Sequence, residues 1–216
     1  MDVFEAINTT RAVRRFSNAP VSDDEIMTCI CAAIQGPSGG NIQPWQFVVV
    51  TDAAVKHALG DVYRRAYDRY EPALVRAMPP FRSDAHRASF ERMRRASRHL
   101  ADHFSEAAAM VLVLMPNISM TLQDEQGPLD VGTPFASVYP AVQNFMLAAR
   151  ALGIGTTLTT VYRIYQEEVR QICTVPERYE VVALIPMGRP LKPFRVGRRR
   201  PVDDVTHWNR FGNKRR

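Results

Sequence analysis

The segment PSGGNIQPWQFVVV, residues 37–50, changes from a turn-rich sequence to a strand sequence and decides how the chain folds around it. Its first half is dense in residues that favour turns, and its second half ends in the apolar run Phe47-Val48-Val49-Val50. This pattern predicts a loop that leads into a buried strand. Loops between regular elements often carry ligand-binding residues, so residues 37–45 are a candidate for a binding site.

A helix is predicted immediately before this loop. Ser22, followed three residues later by Glu25, forms a capping-box pattern, which marks a helix N-terminus. The apolar residues that follow recur at the helical period: Ile26, Ile30 and Ile34. Gly36-Pro37 then ends the helix.

Downstream of the first strand, the pattern predicts an alternation of further elements. In chain order we expect helices over about 53–105 with a break at Met78-Pro79-Pro80, a buried strand at 109–115, a polar loop at 117–133, a helix at 135–152, a strand at 155–160, a short helix at 167–173, a strand at 181–187 and an extended tail after Gly188. No internal repeat is visible.

The predicted helix at 135–152 is apolar on nearly every face. A helix of this kind must be covered on all sides, and in a chain of 216 residues a second copy of the chain is the most economical cover. We therefore expect a homodimer.

Length and composition fit one domain over residues 1–216, with 46% hydrophobic and 23% charged residues. The net charge is +6, but residues 189–216 alone carry a surplus of +8, so that residues 1–188 sum to −2. A nucleic-acid-binding protein is expected to spread positive charge over a folded face. The concentration of charge in one terminal segment argues against that class and requires its own explanation.

The three cysteines, Cys29, Cys31 and Cys173, exclude a disulfide framework and a four-cysteine zinc site, so a reducing cytoplasm is the expected location. The N-terminal residues carry acidic side chains and lack the apolar stretch of a signal peptide. The longest apolar run, at 107–115, is about half of what spans a bilayer. We expect no membrane partner.

Two arginine clusters lie near opposite ends of the chain: Arg11, Arg14 and Arg15, and Arg198, Arg199 and Arg200. On one helical turn the first three would project from the same side and repel one another unless an anion lay between them. A phosphate group gripped by both clusters satisfies this requirement, provided that the tail returns to the N-terminus. A merely solvated charged surface is the alternative.

Four motifs occur in order along the chain: TTRAVRRF at 9–16, PSGGNIQPWQFVVV at 37–50, PAVQNFMLAARALGIGT at 140–156, and VVALIPMGRP at 181–190 followed by RRRPVDDVTHW at 198–208. Together they resemble the FMN-dependent nitroreductase family. The resemblance implies an α+β fold in three layers, with a central, mainly antiparallel sheet between helices. It also implies an intertwined homodimer with an extended C-terminal arm at 189–216 and two FMN molecules at the subunit interface. Residues 60–107 and 116–133 have no counterpart in the motifs and are expected to be variable excursions that shape a lid.

The resemblance nominates cofactor-binding residues position by position. The phosphate contacts would be Arg11 and Arg14 with Arg15 as a helper, and Gly188, Arg198 and Arg200 from the C-terminal motif. The neighbouring subunit's site would be completed by Pro37, Ser38, Gly39 and Asn41. The ring system would lie along Leu158, Thr159 and Thr160. The family usually has a basic residue and a serine where this chain has Thr10 and Ala12, so the individual phosphate contacts are open.

The implied activity is transfer of a hydride from NAD(P)H through FMN to a small organic acceptor, nitroaromatic or quinone-like, with both substrates using the same face of the flavin in turn. No catalytic side chain is required, because the cofactor carries the chemistry. Backbone amides and threonine hydroxyls of 156–160 are the candidates for polarising the ring.

Three alternatives stay open at this stage. One is a related flavin activity, either dehalogenation or destruction of the flavin. Another is nucleic-acid binding by the basic tail, although RVGRRRPVDD at 195–204 lacks interleaved aromatic residues. The last is a metal site at His99 and His103, which lie four residues apart on a predicted helix but without the glutamate of the helical zinc motif. We expect no metal.

Overall fold

A four-stranded antiparallel sheet forms the centre of the molecule in this computed structural model, which describes residues 1–118 and 120–215. The strands lie in the order β1 (Gln46–Val50), β2 (Ala109–Pro116), β6 (Tyr179–Gly188) and β5 (Gly155–Thr156). A separate hairpin pairs β3 (Thr121–Asp124) with β4 (Gly127–Asp130). The helices are α1 (Val3–Thr9), α2 (Asp23–Ala33), α3 (Ala53–Ala77), α4 (Asp84–Asp102), α5 (Phe135–Ala151), α6 (Gln166–Ile172) and α7 (Val202–Val205).

Helices cover both faces of the sheet and so make three layers. Because successive side chains of a strand point to opposite faces, β2 divides its residues between two apolar cores. Val111 and Val113 face the core formed with α2 and α5, whereas Met110 and Leu112 face the core formed with α3 and the end of α4. All four are fully buried. The predicted α+β fold in three layers is therefore confirmed.

Helices α2 and α5 pack closely on the first face. The predicted capping box of α2 is present: the Ser22 hydroxyl accepts from the Glu25 amide, and the Glu25 carboxylate accepts from the Ser22 amide at 3.0 Å. At the other end, Gly36 approaches α5 so closely that a Cβ there would lie 2.8 Å from the Ala141 nitrogen. Glycine at 36 is thus required by packing as well as by the end of the helix.

Several sequence expectations are wrong in detail. The first strand is only partly buried: Val50 is buried but Val49 is exposed, and β1 lies at the edge of the sheet, where it pairs only with β2. The predicted polar loop at 117–133 contains the β3–β4 hairpin, whose cross-strand pair Leu122 and Leu129 is exposed. The strand expected over 155–160 shortens to two residues, continued by a single bridge from Thr159 to Leu184.

The helices at 53–102, although rich in polar residues, contribute to the core. The break predicted at Met78-Pro79-Pro80 is present and extends to residue 83, and α3 contributes fully or nearly fully buried side chains to the second core, among them Leu59, Tyr63 and Tyr67. The C-terminal tail is extended as far as Arg200 and then forms the single turn α7.

An ion pair joins the start of α2 to the start of the C-terminal arm. Arg189 donates to the Glu25 carboxylate at 2.6 Å and to the Leu152 carbonyl at 2.8 Å. The amide of Ser22 and the guanidinium of Arg189 lower the pKa of Glu25. Residue 189 is thereby anchored to two elements of the body before the arm leaves the sheet.

We expect Glu25→Gln to reveal this ion pair through its pH dependence. Glutamine keeps the capping-box geometry but removes the charge, so the variant should lose about 1 kcal/mol of unfolding free energy at pH 7. Because the folded pKa of Glu25 lies below the unfolded value of about 4.3, this stabilisation is present above that pH and disappears as the pH falls through the folded pKa. Urea unfolding at pH 7 and pH 3 measures it, and an equal loss at both pH values would contradict the assignment.

Candidate functional site

Residues 10–16 run extended along the edge of the sheet. Helix α1 ends at Thr9, and Ala12 bridges Thr156 in parallel while Phe16 bridges Pro190. The Val13 amide donates to the Thr156 carbonyl at 2.9 Å. The prediction that Arg11, Arg14 and Arg15 share a helical turn is therefore wrong. The backbone of this segment forms hydrogen bonds with β5 and with the residues just after β6. These hydrogen bonds would be lost if the segment were helical.

Two glycines make this close approach possible. A Cβ on Gly155 would lie 2.6 Å from Cγ1 of Val13, and a Cβ on Gly188 would lie 3.1 Å from the Phe16 ring. Both glycines are buried and pair with each other across β5 and β6. For Gly188, nominated as a phosphate contact, the structure shows this packing role.

Arg11 brings the two ends of the chain together. Its guanidinium lies against Gly197 of the C-terminal arm, so closely that a Cβ at 197 would be 2.5 Å from the guanidinium carbon. Gly197 immediately precedes Arg198. The predicted return of the tail to the N-terminal arginines thus occurs at Arg11. Arg198 and Arg200 are exposed, and Arg199 between them donates to the Arg198 carbonyl at 3.3 Å.

An aromatic contact secures the arm beside α1. The Arg150 guanidinium, nearly buried, stacks on the Phe194 ring at 4.1 Å from its centroid. Its Nε donates to the Thr9 hydroxyl at 2.8 Å, and Glu5 lies 3.7 Å from its terminal nitrogen. Arg150 therefore connects α5 to α1 and to the C-terminal arm, just before the arm reaches Arg11. Sequence reasoning did not single out this residue, although a lone arginine in an apolar helix was a usable signal.

Arg14 lies apart from Arg11. Its side chain is half-buried and interacts electrostatically with Tyr63 and Tyr67 of α3. Burial lowers its pKa, and within residues 1–118 and 120–215 no hydrogen bond or ion pair satisfies its guanidinium. A half-buried charge without a partner is costly, and such positions are candidates for binding an anionic or electron-rich ligand.

Arg15 takes a third direction. It lines an open cavity of about 480 Å³ between α3 and α4, where Glu71, Arg95 and His99 are also found. The three arginines of the N-terminal cluster thus have three different surroundings, and their predicted joint grip on one phosphate is not the observed arrangement.

The loop after α2 holds a strained conformation over residues 40–43, which are exposed, before Trp45 enters the core. Gly40, Asn41 and Gln43 have φ values of 58°, 56° and 47°, in the left-handed region that costs non-glycine residues energy. The Gln43 amide donates to the Ser38 hydroxyl at 2.8 Å, which holds the turn.

The nominated residues of this loop face outward from the chain. Pro37, Gly39 and Asn41 are exposed, and the Gly39 amide donates to the Ser137 hydroxyl at the start of α5 at 3.1 Å. A rigid, exposed loop anchored to α5 is suited to completing a site on another molecule.

Several polar groups of the segment after β5 already form hydrogen bonds within the chain. The Thr159 hydroxyl and amide both donate to the Leu184 carbonyl, at 2.6 Å and 3.1 Å. The Thr157 hydroxyl donates to the Val13 carbonyl. These donors hold the segment against β6 and residue 13. Leu158 is half-buried and Thr160 is exposed, so these two remain the residues of the nominated set that can contact a ligand directly.

The histidine pair does not assemble a metal site with the residues described. The rings of His99 and His103 lie 4.2 Å apart, and His103 Nδ1 is 2.8 Å from a Glu106 oxygen. Across residues 1–118 and 120–215 there is no group of three or more histidine, cysteine, aspartate or glutamate side chains arranged to hold a metal ion.

Comparison with known proteins adds the family. The family model described as "Nitroreductase family" matches residues 7–189 of this chain. The chain belongs to the nitroreductase family. The match runs from the last residues of α1 through β6 and contains the extended segment, the loop after α2 and both glycines of the sheet edge.

Individual relatives of this nitroreductase-family chain have different names. It is 30% identical over 186 residues to 5,6-dimethylbenzimidazole synthase of Rhodospirillum rubrum, covering 83% of this chain and 78% of the relative. It is 24% identical over 206 residues to iodotyrosine deiodinase 1 of Sus scrofa, covering 94% and 67%. Similarity therefore identifies the family and leaves the acceptor open.

Solved structures share the fold. An FMN- and NADPH-dependent nitroreductase, NfnB, from sphigopyxis sp. strain HMH superposes with a TM-score of 0.71 at 20% identity, covering 98% of this chain and all of that one. In the part of this chain that the structure describes, no helix is both long and apolar enough to traverse a lipid bilayer.

We expect Gly155→Ala to loosen residues 11–16. The added methyl group would overlap the Val13 side chain, so the variant should lose roughly 1–3 kcal/mol of unfolding free energy, and the Val13 amide should exchange its hydrogen faster. Chemical denaturation and hydrogen exchange measure these effects. Gly39→Ala is the matched control, because a Cβ there meets Ser137 Oγ at an ordinary 3.6 Å. Unchanged exchange at Val13 in Gly155→Ala would contradict the packing role.

Proposed function

We propose that this protein is an FMN-dependent oxidoreductase that uses NAD(P)H to reduce a small organic acceptor. The observation that carries the proposal is the meeting of Arg11 with the basic C-terminal arm at Gly197, one residue before three consecutive arginines. Positive charge from both ends of the chain is thereby gathered at one place. Guanidinium groups bind phosphate through paired, charge-assisted hydrogen bonds, and the phosphate of FMN supplies the matching dianion.

At the phosphate end, Arg11 and the arm residues Arg198 and Arg200 would hold the anion. Thr10 is unsuited to a direct grip, because its hydroxyl donates to the Ala6 carbonyl at 2.7 Å. Arg150 and Phe194 would act from beneath by fixing the arm against α1. The departures from the family pattern at Thr10 and Ala12 thus leave Arg11 as the N-terminal phosphate ligand.

At the other end, we assign Arg14 to the ring system instead of the phosphate. Its half-buried guanidinium makes no hydrogen bond or ion pair among the described residues and can stabilise negative charge in a weakly solvated place. The hydroxyls of Thr157 and Thr159 donate within the chain, so Arg14 replaces them as the candidate for polarising the ring. Leu158 and Thr160 would contact the ring from the segment after β5.

FMN, when bound, accepts a hydride from NAD(P)H and passes two electrons to an acceptor. The residues of the chain bind it, orient it and limit access of water, and none is required as a proton donor or nucleophile. With one open face the two substrates would enter in turn, which gives ping-pong kinetics. Nitroaromatic and quinone-like compounds are the proposed acceptors in vitro, with dehalogenation and flavin destruction as related activities of the same fold.

A second copy of the chain would complete the site. Phe4 and Ile7 on α1 and Ile42 in the loop after α2 expose between half and 70% of their surface, although each is apolar. Phe4 and Ile7 are three residues apart and so share one face of α1, and exposed apolar patches mark interaction surfaces. On α5, Tyr139 and Gln143 are likewise uncovered. A homodimer through these faces would bring Pro37, Ser38, Gly39 and Asn41 of one chain to the flavin of the other. One domain per chain and a cytoplasmic location remain predictions.

The two arginines should respond differently to substitution. We expect Arg11→Gln to weaken FMN binding at least tenfold, because a charge-assisted hydrogen bond is worth about 1.5–3 kcal/mol. Arg14→Gln should retain more FMN but lower its midpoint potential and slow its reduction by NAD(P)H. Flavin content after dialysis and spectroelectrochemistry separate the two effects.

A control and a contrary outcome complete this test. Arg92→Gln removes an exposed arginine of α4 outside the cavity and should leave flavin content and potential unchanged. Full flavin occupancy in Arg11→Gln would show that the phosphate assignment is wrong, and an unchanged potential in Arg14→Gln would exclude a role at the ring.

The dimer can be tested through α1. We expect Phe4→Glu to shift the protein from dimer to monomer and to reduce flavin content, because a buried, unpaired carboxylate would oppose association. Analytical ultracentrifugation and flavin absorbance measure both. Val75→Glu, at an exposed apolar position of α3, makes the same change of charge and serves as the control. A Phe4→Glu dimer with full flavin would exclude α1 from the interface.

A further inference from the structure

The cavity between α3 and α4 is not used by the proposed FMN site. Some of the charged side chains that line it form ion pairs with one another, and others do not. Three of its carboxylates, those of Glu71, Glu91 and Asp102, are within 4.0 Å of a guanidinium of Arg94 or Arg98. Glu71 is nearly buried and accepts hydrogen bonds from both arginines at 2.6–3.2 Å. The donors of Arg94 and Arg98 are therefore largely occupied.

Two further arginines line the cavity, and their guanidinium groups have no hydrogen-bond or ion-pair partner among the described residues. They are Arg15, from the extended N-terminal segment, and Arg95, from α4. His99 also lines the cavity, and burial, followed by the positive charge of Arg15, lowers its pKa, so this side chain supplies no negative charge to pair with the two guanidiniums. The lining as a whole carries four arginines against three carboxylates.

The position of the cavity relates it to the redox site. Arg15 directly follows Arg14, which we assign to the ring system, so the two neighbouring side chains connect the ring end of the site to the cavity. A volume of about 480 Å³ is within the range of small-molecule pockets and admits a nucleotide fragment. A ligand lying there would be anchored at a distance from the reacting atoms.

We propose that Arg15 and Arg95 bind the 2′-phosphate of NADPH and give the enzyme a preference for NADPH over NADH. The inference rests on the proposed function and names the reductant of that same site. A phosphate monoester is a dianion that matches two unpaired guanidinium groups, and NADH has a hydroxyl in its place. An alternative ligand for the two arginines is the carboxylate of an acidic acceptor, which carries only one negative charge. The kinetic test below distinguishes the two ligands.

Binding of fragments tests the site without turnover. Adenosine 2′,5′-bisphosphate should bind the flavin-loaded protein at least tenfold more tightly than adenosine 5′-monophosphate in isothermal titration calorimetry. Arg95→Gln and Arg15→Gln should each remove most of this difference, and Arg92→Gln, on the same helix but outside the lining, should retain it. Equal affinity for the two nucleotides, or bisphosphate binding no tighter than inorganic phosphate, would overturn the proposal.

Kinetics provide the second readout. The ratio of kcat/KM for NADPH to that for NADH should exceed ten and fall at least tenfold in Arg95→Gln, whereas Arg95→Lys should recover part of it. A ratio that is unchanged in Arg95→Gln and in Arg15→Gln contradicts the inference. So does a change confined to carboxylated acceptors, such as nitrobenzoate compared with nitrobenzene.

The two proposals fail in distinguishable ways. Purified protein that neither retains FMN nor oxidises NADH or NADPH would remove the proposed function itself. Protein that retains FMN and oxidises both reductants with equal efficiency would keep the proposed function and overturn only the assignment of Arg15 and Arg95. Thermal melting of each variant, compared with Arg92→Gln, identifies any loss that comes from unfolding.

Discussion

The close approach of residues 12–16 to the sheet edge at Gly155 and Gly188 is the constraint on which the site depends. A side chain at either glycine would push this segment away, and with it Arg11, Arg14 and Arg15. Because residues 10–16 are held extended by the backbone bonds of Val13 to Thr156 and of Arg15 to Leu191, the three arginines of this stretch point to three different surroundings. One rigid attachment thereby distributes charge over the arm, the half-buried position beside α3 and the cavity.

A small number of side-chain contacts hold the C-terminal arm against the rest of the chain. Arg189 ties its start to Glu25 and Leu152, and Arg150 stacks on Phe194 further along. The path then passes Arg11 at Gly197, where the absence of a side chain lets the guanidinium lie against the backbone. The three consecutive arginines at 198–200 thus follow directly on the contact with Arg11, and in the proposed function the phosphate of FMN is the reason for gathering charge there.

The fold was largely predictable from the sequence, because hydrophobic period and capping are local signals. Ser22 and Glu25 fixed the start of α2, and the uninterrupted apolar run at 109–115 predicted the central strand. The edge position of β1 was not predictable, because an apolar run looks the same whether one or both of its neighbours exist. The hairpin at 121–130 was missed because its turn lies in an otherwise polar stretch.

For the site, the sequence predicted the residue types better than their arrangement. The spacing of Arg11 and Arg14 suits a helical turn, but tertiary bonds to β5 override it, and no local pattern reports such a long-range partner. The hydrogen bonds from the Thr157 and Thr159 hydroxyls to the carbonyls of Val13 and Leu184 could not be predicted from the sequence for the same reason. Arg150, by contrast, carried a readable signal as a charge inside an apolar helix.

The central claim is that Arg11 and the C-terminal arm form a phosphate site for FMN. It is tested most directly by comparing the affinity of flavin-free protein for FMN and for riboflavin, which has the same ring system without the phosphate. The account predicts that FMN binds at least a hundredfold more tightly at low salt and that Gly197→Ala, which displaces the Arg11 guanidinium, removes most of that difference. Equal affinity for the two flavins would contradict it.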